Sequence, residues 1–232
     1  MAVARHLSEE ELVALRQFDT CTIANAIEKF RVRLRNTGFT NAGIHCRFPD
    51  APPMVGYAVT ARLRSGEPPI TGVAFRDRTD FWNTVLTVPA PRVLVLEDMD
   101  DPPGRGAFVG DSHGAILSAL GCVGYLTNGA VRELPSVKLM GMQLFSGSLA
   151  VSHAYAHIFD VLTPIKVGGM EVRSGDLLHG DRHGVLSVPL QIAAEIPRVA
   201  TELRRKEQKV IDFCLSGDFS VARLGEITRS ME

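Results

Sequence analysis

The chain has 232 residues, enough for one domain, spanning 1–232, whose core needs no covalent staples. Lys+Arg (25) balances Asp+Glu (26), with 45% hydrophobic and 22% charged residues. This excludes a net positive field that would gather nucleic acid or a membrane surface, so a ligand must be held by a local site.

Two helix starts open the chain. Ser8 followed by Glu11 reads as a capping box ahead of Leu12, Val13 and Leu15. Asp19 or Thr20 caps a second helix with Ile23, Ala26, Ile27 and Phe30 on one face. The stretch "KFRVRLRN" then sets Lys29, Arg31, Arg33 and Arg35 on alternate positions, which fits a solvated face, an oligomer contact or an RNA-binding edge. After a polar stretch, "VGYAVTARLRS" alternates like a strand. "FRDRTDFWNTVLTVPAPRVLVLEDM" reads as a helix near Trp82, a proline turn and a strand over Val93 to Leu96. "HGAILSALGCVG" reads as a close-packing helix, and "GYLTNGAV" and "MQLFSGS" as strands. "PIKVGGMEVRSGDLLHGDRHGVLSVP" has the turn signals of consecutive short strands. "LQIAAEIPRVATELRRKEQKVIDFCLSG" is a helical pattern over about 190–215 with a break expected at Pro197. The mixture predicts α/β layers around one core.

The four cysteines, Cys21, Cys46, Cys122 and Cys214, form no C-x-x-C pair, which argues against a disulfide framework or an all-cysteine zinc site. The opening lacks the apolar core of a signal peptide, and no apolar run is long enough to span a bilayer, so a cytoplasmic location is expected.

The candidate site lies in "GDSHGAILSALGCVGYLTNGAVRE". Twenty residues separate Asp111 from Arg132, read as helix, turn and strand, a unit that can bring its two ends together. Asp111 and Glu133 would then offer oxygen ligands to Mg²⁺ or Mn²⁺, hard cations that retain several waters. Arg132 would grip a carboxylate bidentately, and the amides after Gly110, at a helix start, suit an anion. A plain structural reading makes Asp111 a helix N-cap and Arg132 with Glu133 a solvated turn. His153 with His157, and His179 with His183, have i, i+4 spacing, but "HGDRHG" reads as a turn and no H-E-x-x-H is present. These histidines read as wall or turn residues, with one or two available as proton donors in the site. The charged helix "ELRRKEQKVIDF" reads as solvent-exposed.

The segment resembles the RraA-like family, which includes class II 4-hydroxy-4-methyl-2-oxoglutarate aldolases. The shared pattern is an acid after glycine, twenty residues, then arginine and an acid. Here it reads Gly110-Asp111, Gly121-Cys122-Val123-Gly124 and Gly129-Ala130-Val131-Arg132. "VGGMEVRSGDLLHGDRHGVLSVP" and "FDTCTIANAIEKF" resemble two further stretches of the family, so the likeness spans roughly residues 15 to 215. It implies an α/β fold of the swivelling β/β/α type, a layered sandwich like phosphohistidine domains. It implies a homotrimer or hexamer with sites between subunits; the charge balance and the lack of a long apolar run lead us to expect no nucleic acid and no membrane as partners. It implies a Mg²⁺- or Mn²⁺-dependent lyase acting on a 2-oxo acid through a pyruvate enolate, by retro-aldol cleavage or oxaloacetate decarboxylation. Asp111 and Arg132 carry over as catalytic, Gly110, Ser112, His113, Gly114 and Arg132 as substrate-binding, and Asp111 and Glu133 as metal-binding. Glu207, with Glu202 as alternative, matches a glutamate that reaches the site from a neighbouring subunit. Glu133 stands where the family has aspartate, and Ser112 and His113 where aldolases often carry aliphatic residues. Other RraA-like proteins bind and inhibit an RNA-degrading enzyme without catalysis, the alternative the likeness leaves open.

Overall fold

The computed structural model describes residues 5–70 and 78–229. Residues 75–77 of the "FRDRTDFW" stretch lie outside them. The chain begins with α1 (Glu9–Arg16) and α2 (Thr20–Phe30), followed by β1 (His45–Cys46) and β2 (Met54–Arg64). Next come α3 (Arg78–Leu86), β3 (Arg92–Asp98), β4 (Ala107–Val109), α4 (Asp111–Ala119) and β5 (Cys122–Val131). Then follow α5 (Leu134–Lys138), β6 (Gln143–Leu149), β7 (His157–Val161), β8 (Ile165–Val167) and β9 (Met170–Val172). The last elements are β10 (Leu177–Asp181), β11 (Gly184–Val188), α6 (Ile196–Leu215) and α7 (Val221–Arg229).

The main sheet has the order β1-β6-β5-β3-β2-β10-β11, with β4 paired to β5 and β7 to β2. β8 and β9 form a separate antiparallel hairpin. Strand alternation divides the core in two. Leu94 and Leu96 of β3, with Val55, Tyr57 and Val59 of β2, face the helices and meet Leu15, Ile23, Ile27 and Ile196. Val93 and Val95, with Met54 and Ala58, face the other way, onto Ile165, Val167, Met170 and Val172 of the hairpin. Both faces are covered, so the central strands are apolar throughout and β2 is buried over nearly its whole length, where alternation alone predicts a half-buried strand. The layers are hairpin, sheet and helices, the β/β/α arrangement expected from the resemblance.

The helix starts follow the sequence closely. Ser8 and Glu11 form the full capping box, and Asp19 is the N-cap of α2. Pro197 does not break a helix. It sits in the first turn of α6, where the N–H it lacks would have no intrahelical partner anyway. The basic alternation after α2 also forms no continuous face. Arg31 ends α2 in a left-handed conformation, Arg33 is half-buried and donates to the Ser187 carbonyl and hydroxyl, and Arg35 pairs with Glu28. Among the described residues no helix is long and apolar enough to cross a membrane.

Strands β2, β3, β5 and β6 run parallel, and β4 runs parallel to β5. Their carboxyl ends therefore gather at one end of the sheet, where parallel α/β sheets commonly bind ligands.

Candidate active site

The short strand β4 explains how residues twenty apart in sequence meet. Ala107 pairs with Ala130 and Val109 with Val131, and the Arg132 N–H donates to the Val109 carbonyl at 3.1 Å. The unit is thus strand, helix, strand. The turn into α4 and the turn out of β5 lie side by side, which a helix and one strand alone do not ensure. The signal for β4 was the apolar triplet Ala107-Phe108-Val109 bounded by glycines.

At this junction the Glu133 carboxylate reaches back over Gly110. Its Oε2 accepts the Asp111 N–H at 2.9 Å, and its Oε1 pairs with Arg132 Nη2. The bare α-carbon of Gly110 makes room for this placement, because a Cβ there would stand 2.3 Å from Glu133 Oε2 and push the carboxylate aside. Asp111 is the first residue of α4 and not its cap. Gly110 holds the cap position and offers no side-chain bond. The N–H and hydroxyl of Ser112, then Glu133, then the Arg132 charge hold the Asp111 carboxyl below its usual range.

A cleft of about 290 Å³ opens here, lined by Gly110, Asp111, Ser112, His113, Arg132 and Glu133, with Ala107, Phe108, His153 and Ala156. The His113 ring stacks on Phe108 at 4.5 Å between centroids and leans on Trp82 at 5.8 Å. Its Nδ1 lies 2.5 Å from the Phe108 carbonyl, which only accepts, so Nδ1 carries a proton. His153 enters because its loop is seated on Gly106, where a Cβ would meet the His153 carbonyl at 2.4 Å, and because Ala107 N–H donates to the Ser152 carbonyl.

Of the residues singled out in the sequence, Gly110, Asp111, Ser112, His113, Arg132 and Glu133 come together. Gly114 does not line the cleft and packs against Met140 and Val137. Glu207 and Glu202 lie on α6, where Glu207 is near Asn25 and Glu202 pairs with Arg198, and neither lines this chain's cleft. The two histidine pairs separate. His153 lines the cleft, while His157 starts β7 and faces the Tyr155 carbonyl. His179 is fully buried against Thr20 and Leu15, and His183 faces Asp181.

Asp98 and Asn128 were not anticipated. The Asn128 side chain accepts from the Asp98 N–H and donates to the Asp98 carbonyl, clamping β3 to β5 just below the site. The buried Asp98 carboxylate accepts from the N–H groups of Asp100 and Gly104, fixing the loop that leads into β4. Burial pushes its carboxyl up.

The donor set fits a hydrated divalent cation. Two carboxylates, Asp111 and Glu133, lie at an open cleft, and water can complete an octahedral shell. Among the described residues no three His, Cys, Asp or Glu side chains gather as a protein-only metal cage would need.

Comparison with known proteins agrees with this architecture. A "4-hydroxy-4-methyl-2-oxoglutarate aldolase" so named provisionally in Halalkalibacterium halodurans is 31% identical over 84 residues, 36% of this chain and 40% of that protein. The match thus spans less than half the length of that curated relative. An uncharacterized protein from Pseudomonas syringae pv. tomato has the same fold, with a TM-score of 0.75, 22% identity and 99% of both chains covered. Streptomyces coelicolor RraAS2, described as an unusual member of the RNase ES inhibitor RraA family, gives a TM-score of 0.66 at 21% identity, covering 88% of this chain and 96% of that one. The RraA-like family, described as Aldolase/RraA, matches residues 20–187, and the chain belongs to that family.

Proposed function

We propose that this protein is a divalent-metal-dependent lyase that cleaves a C–C bond of a small 2-oxo acid. The observation that carries the reading is the convergence of Asp111, Arg132 and Glu133 with the N-terminus of α4 on one cleft. An arginine beside a helix N-terminus suits a carboxylate, and adjacent acids suit a hard cation. Asp111 and Glu133 would hold Mg²⁺ or Mn²⁺, which when bound supplies Lewis-acid polarisation of the 2-oxo group.

The chain's own residues do the rest. Arg132 and the first amides of α4 orient the substrate carboxylate. In retro-aldol cleavage the C4 hydroxyl loses its proton, the C3–C4 bond breaks, and its electron pair passes to C3 as a pyruvate enolate. In decarboxylation the same pair is left when the C4 carboxylate departs as CO₂. Arg132 stabilises the developing charge. Protonation of C3 yields pyruvate. Glu207 of a neighbouring copy serves as the hydroxyl-proton acceptor in a trimer or hexamer. The exposed apolar residues Leu215, Phe219 and Val221 near the C-terminus support association of this kind.

The test is pyruvate release from 4-hydroxy-2-oxo acids and oxaloacetate. EDTA should abolish it, and Mg²⁺ or Mn²⁺ should restore it. Full turnover after verified metal removal would end this reading. A second reading, a non-catalytic regulator of an RNA-degrading enzyme, is supported by the description of the Streptomyces neighbour and by Glu133 occupying the Arg132 guanidinium.

A further inference from the structure

We propose that in the metal-free site the Glu133 carboxylate occupies the place of the substrate carboxylate, and that a 2-oxo acid binds there by displacing it. The inference rests on the reading of Arg132 and the α4 amides as the substrate-carboxylate donors.

Three observations support it. First, Glu133 uses the donors an incoming carboxylate needs, the Asp111 N–H through Oε2 and Arg132 Nη2 through Oε1. A carboxylate bridging an arginine and a helix N-terminus is what that pair of donors recognises. Second, the occupancy is imperfect. Arg132 Nε is buried and has no hydrogen-bond partner, so the guanidinium is engaged through one nitrogen. A free carboxylate approaching the Nε–Nη2 edge satisfies both donors at once, a geometry a side chain from the adjacent residue does not achieve here. Third, Glu133 is held in a left-handed backbone conformation with φ 53, which a non-glycine residue adopts at a cost. Its carboxylate thereby lies over Gly110, in space that any other residue at 110 would fill. The internal carboxylate is in place but loosely optimised, as a displaceable occupant must be.

Displacement sets an affinity penalty that the wild type meets and a variant lacking the carboxylate does not. The measurement is pyruvate binding by isothermal titration calorimetry on the full chain in EDTA. The proteins are wild type, E133N, which tolerates the left-handed position and is too short to bridge, and E133Q, which keeps the length and loses the charge. Circular dichroism establishes that each is folded, and E133Q carries the test should E133N not fold. Pyruvate should bind E133N roughly tenfold more tightly than wild type, with E133Q between. The double variant E133N/R132Q should lose the gain. Equal affinity in wild type and both single variants would overturn the inference while leaving Arg132 as the carboxylate donor. Absence of pyruvate binding to any of them, and to wild type with Mg²⁺, would remove the Arg132 reading and the inference with it.

Discussion

At the N-termini of α2 and α4 a carboxylate from another element accepts a helix N–H, and the two contacts stand in opposite settings. At α2, Asp181 of β10 accepts the Thr20 N–H at 2.9 Å through Oδ2, while its Oδ1 accepts the His183 N–H at 2.9 Å and faces the His183 ring at 3.0 Å. Asp181 is 6% exposed, and both of its oxygens are used. At α4, Glu133 of the β5 turn accepts one N–H, faces an arginine with a nitrogen to spare, and stands at an open cleft. The same local chemistry makes a structural joint in one place and, on the proposed reading, a reactive site in the other. What separates them is saturation and access to solvent, not residue type.

The sharpest way to break this contrast is Arg132→Lys. The variant keeps a positive charge but loses the planar fork. If the α4 end is the site, kcat/KM for the best 2-oxo acid should fall by about 2–4 kcal/mol, the range for removing one key electrostatic donor. Thermal stability should be nearly unchanged, because Arg132 is partly exposed and its ion pair is local. A lysine variant within a few-fold of wild type would make Arg132 peripheral.

The α2 end should respond in the reverse sense. Asp181→Ala leaves the Thr20 and His183 N–H groups without their acceptor near the core. Stability in urea should fall by about 1–3 kcal/mol, the cost of stranding such donors, while turnover per folded molecule is kept. Loss of activity without loss of stability would place Asp181 in the chemistry.

The caps, the short strands and the clustering of the site residues were legible in the sequence, and the illegible part has physical causes. The capping box at Ser8, the cap at Asp19 and the short strands after residue 164 are local signals, and each appears as read. The clustering of Asp111, Arg132 and Glu133 was expected from a helix-to-strand return, but the return depends on β4, only three residues long and too short for a period to show. Glu133 was read as a metal ligand, and its contact with the Asp111 amide depends on a left-handed backbone and on the bare α-carbon of Gly110. Neither is visible in residue types. The turn reading of "HGDRHG" holds for the second histidine pair. His179 lies on β10, which ends at Asp181, and His183 lies in the turn before β11 starts at Gly184, so the two rings part company. Asn128 and Asp98 were missed because their side-chain partners are backbone groups, of a neighbouring strand for Asn128 and of the loop after β3 for Asp98.

The smallest expected effect belongs to His179 and sharpens the comparison through pH. Its Nε2 lies 3.3 Å from the Leu15 carbonyl and therefore carries the proton, and its Nδ1 accepts the Thr20 hydroxyl at 3.0 Å. Burial pushes its pKa below the ordinary 6.5, because a charged ring in the core would be poorly solvated. The unfolded chain takes up a proton as pH falls through 6.5, whereas the folded chain resists it. The contribution of neutral His179 to stability is thus fully present above that value and is lost as pH falls from 6.5 toward the lowered folded pKa. The slope across this window is at most about 1.4 kcal/mol per pH unit for one proton. Asp181 stays ionised here. Although burial raises its carboxyl, the N–H groups of His183 and Thr20 bring it below the usual range, so its own titration falls at lower pH. Urea unfolding of wild type and His179→Gln between pH 7.5 and 5 separates the contribution. Glutamine has no proton to gain, so the variant should be less stable at pH 7.5 and should lose less than wild type on acidification. Parallel curves for the two proteins would show that His179 does not titrate on unfolding, and the α2 joint would then owe its pH response to other groups.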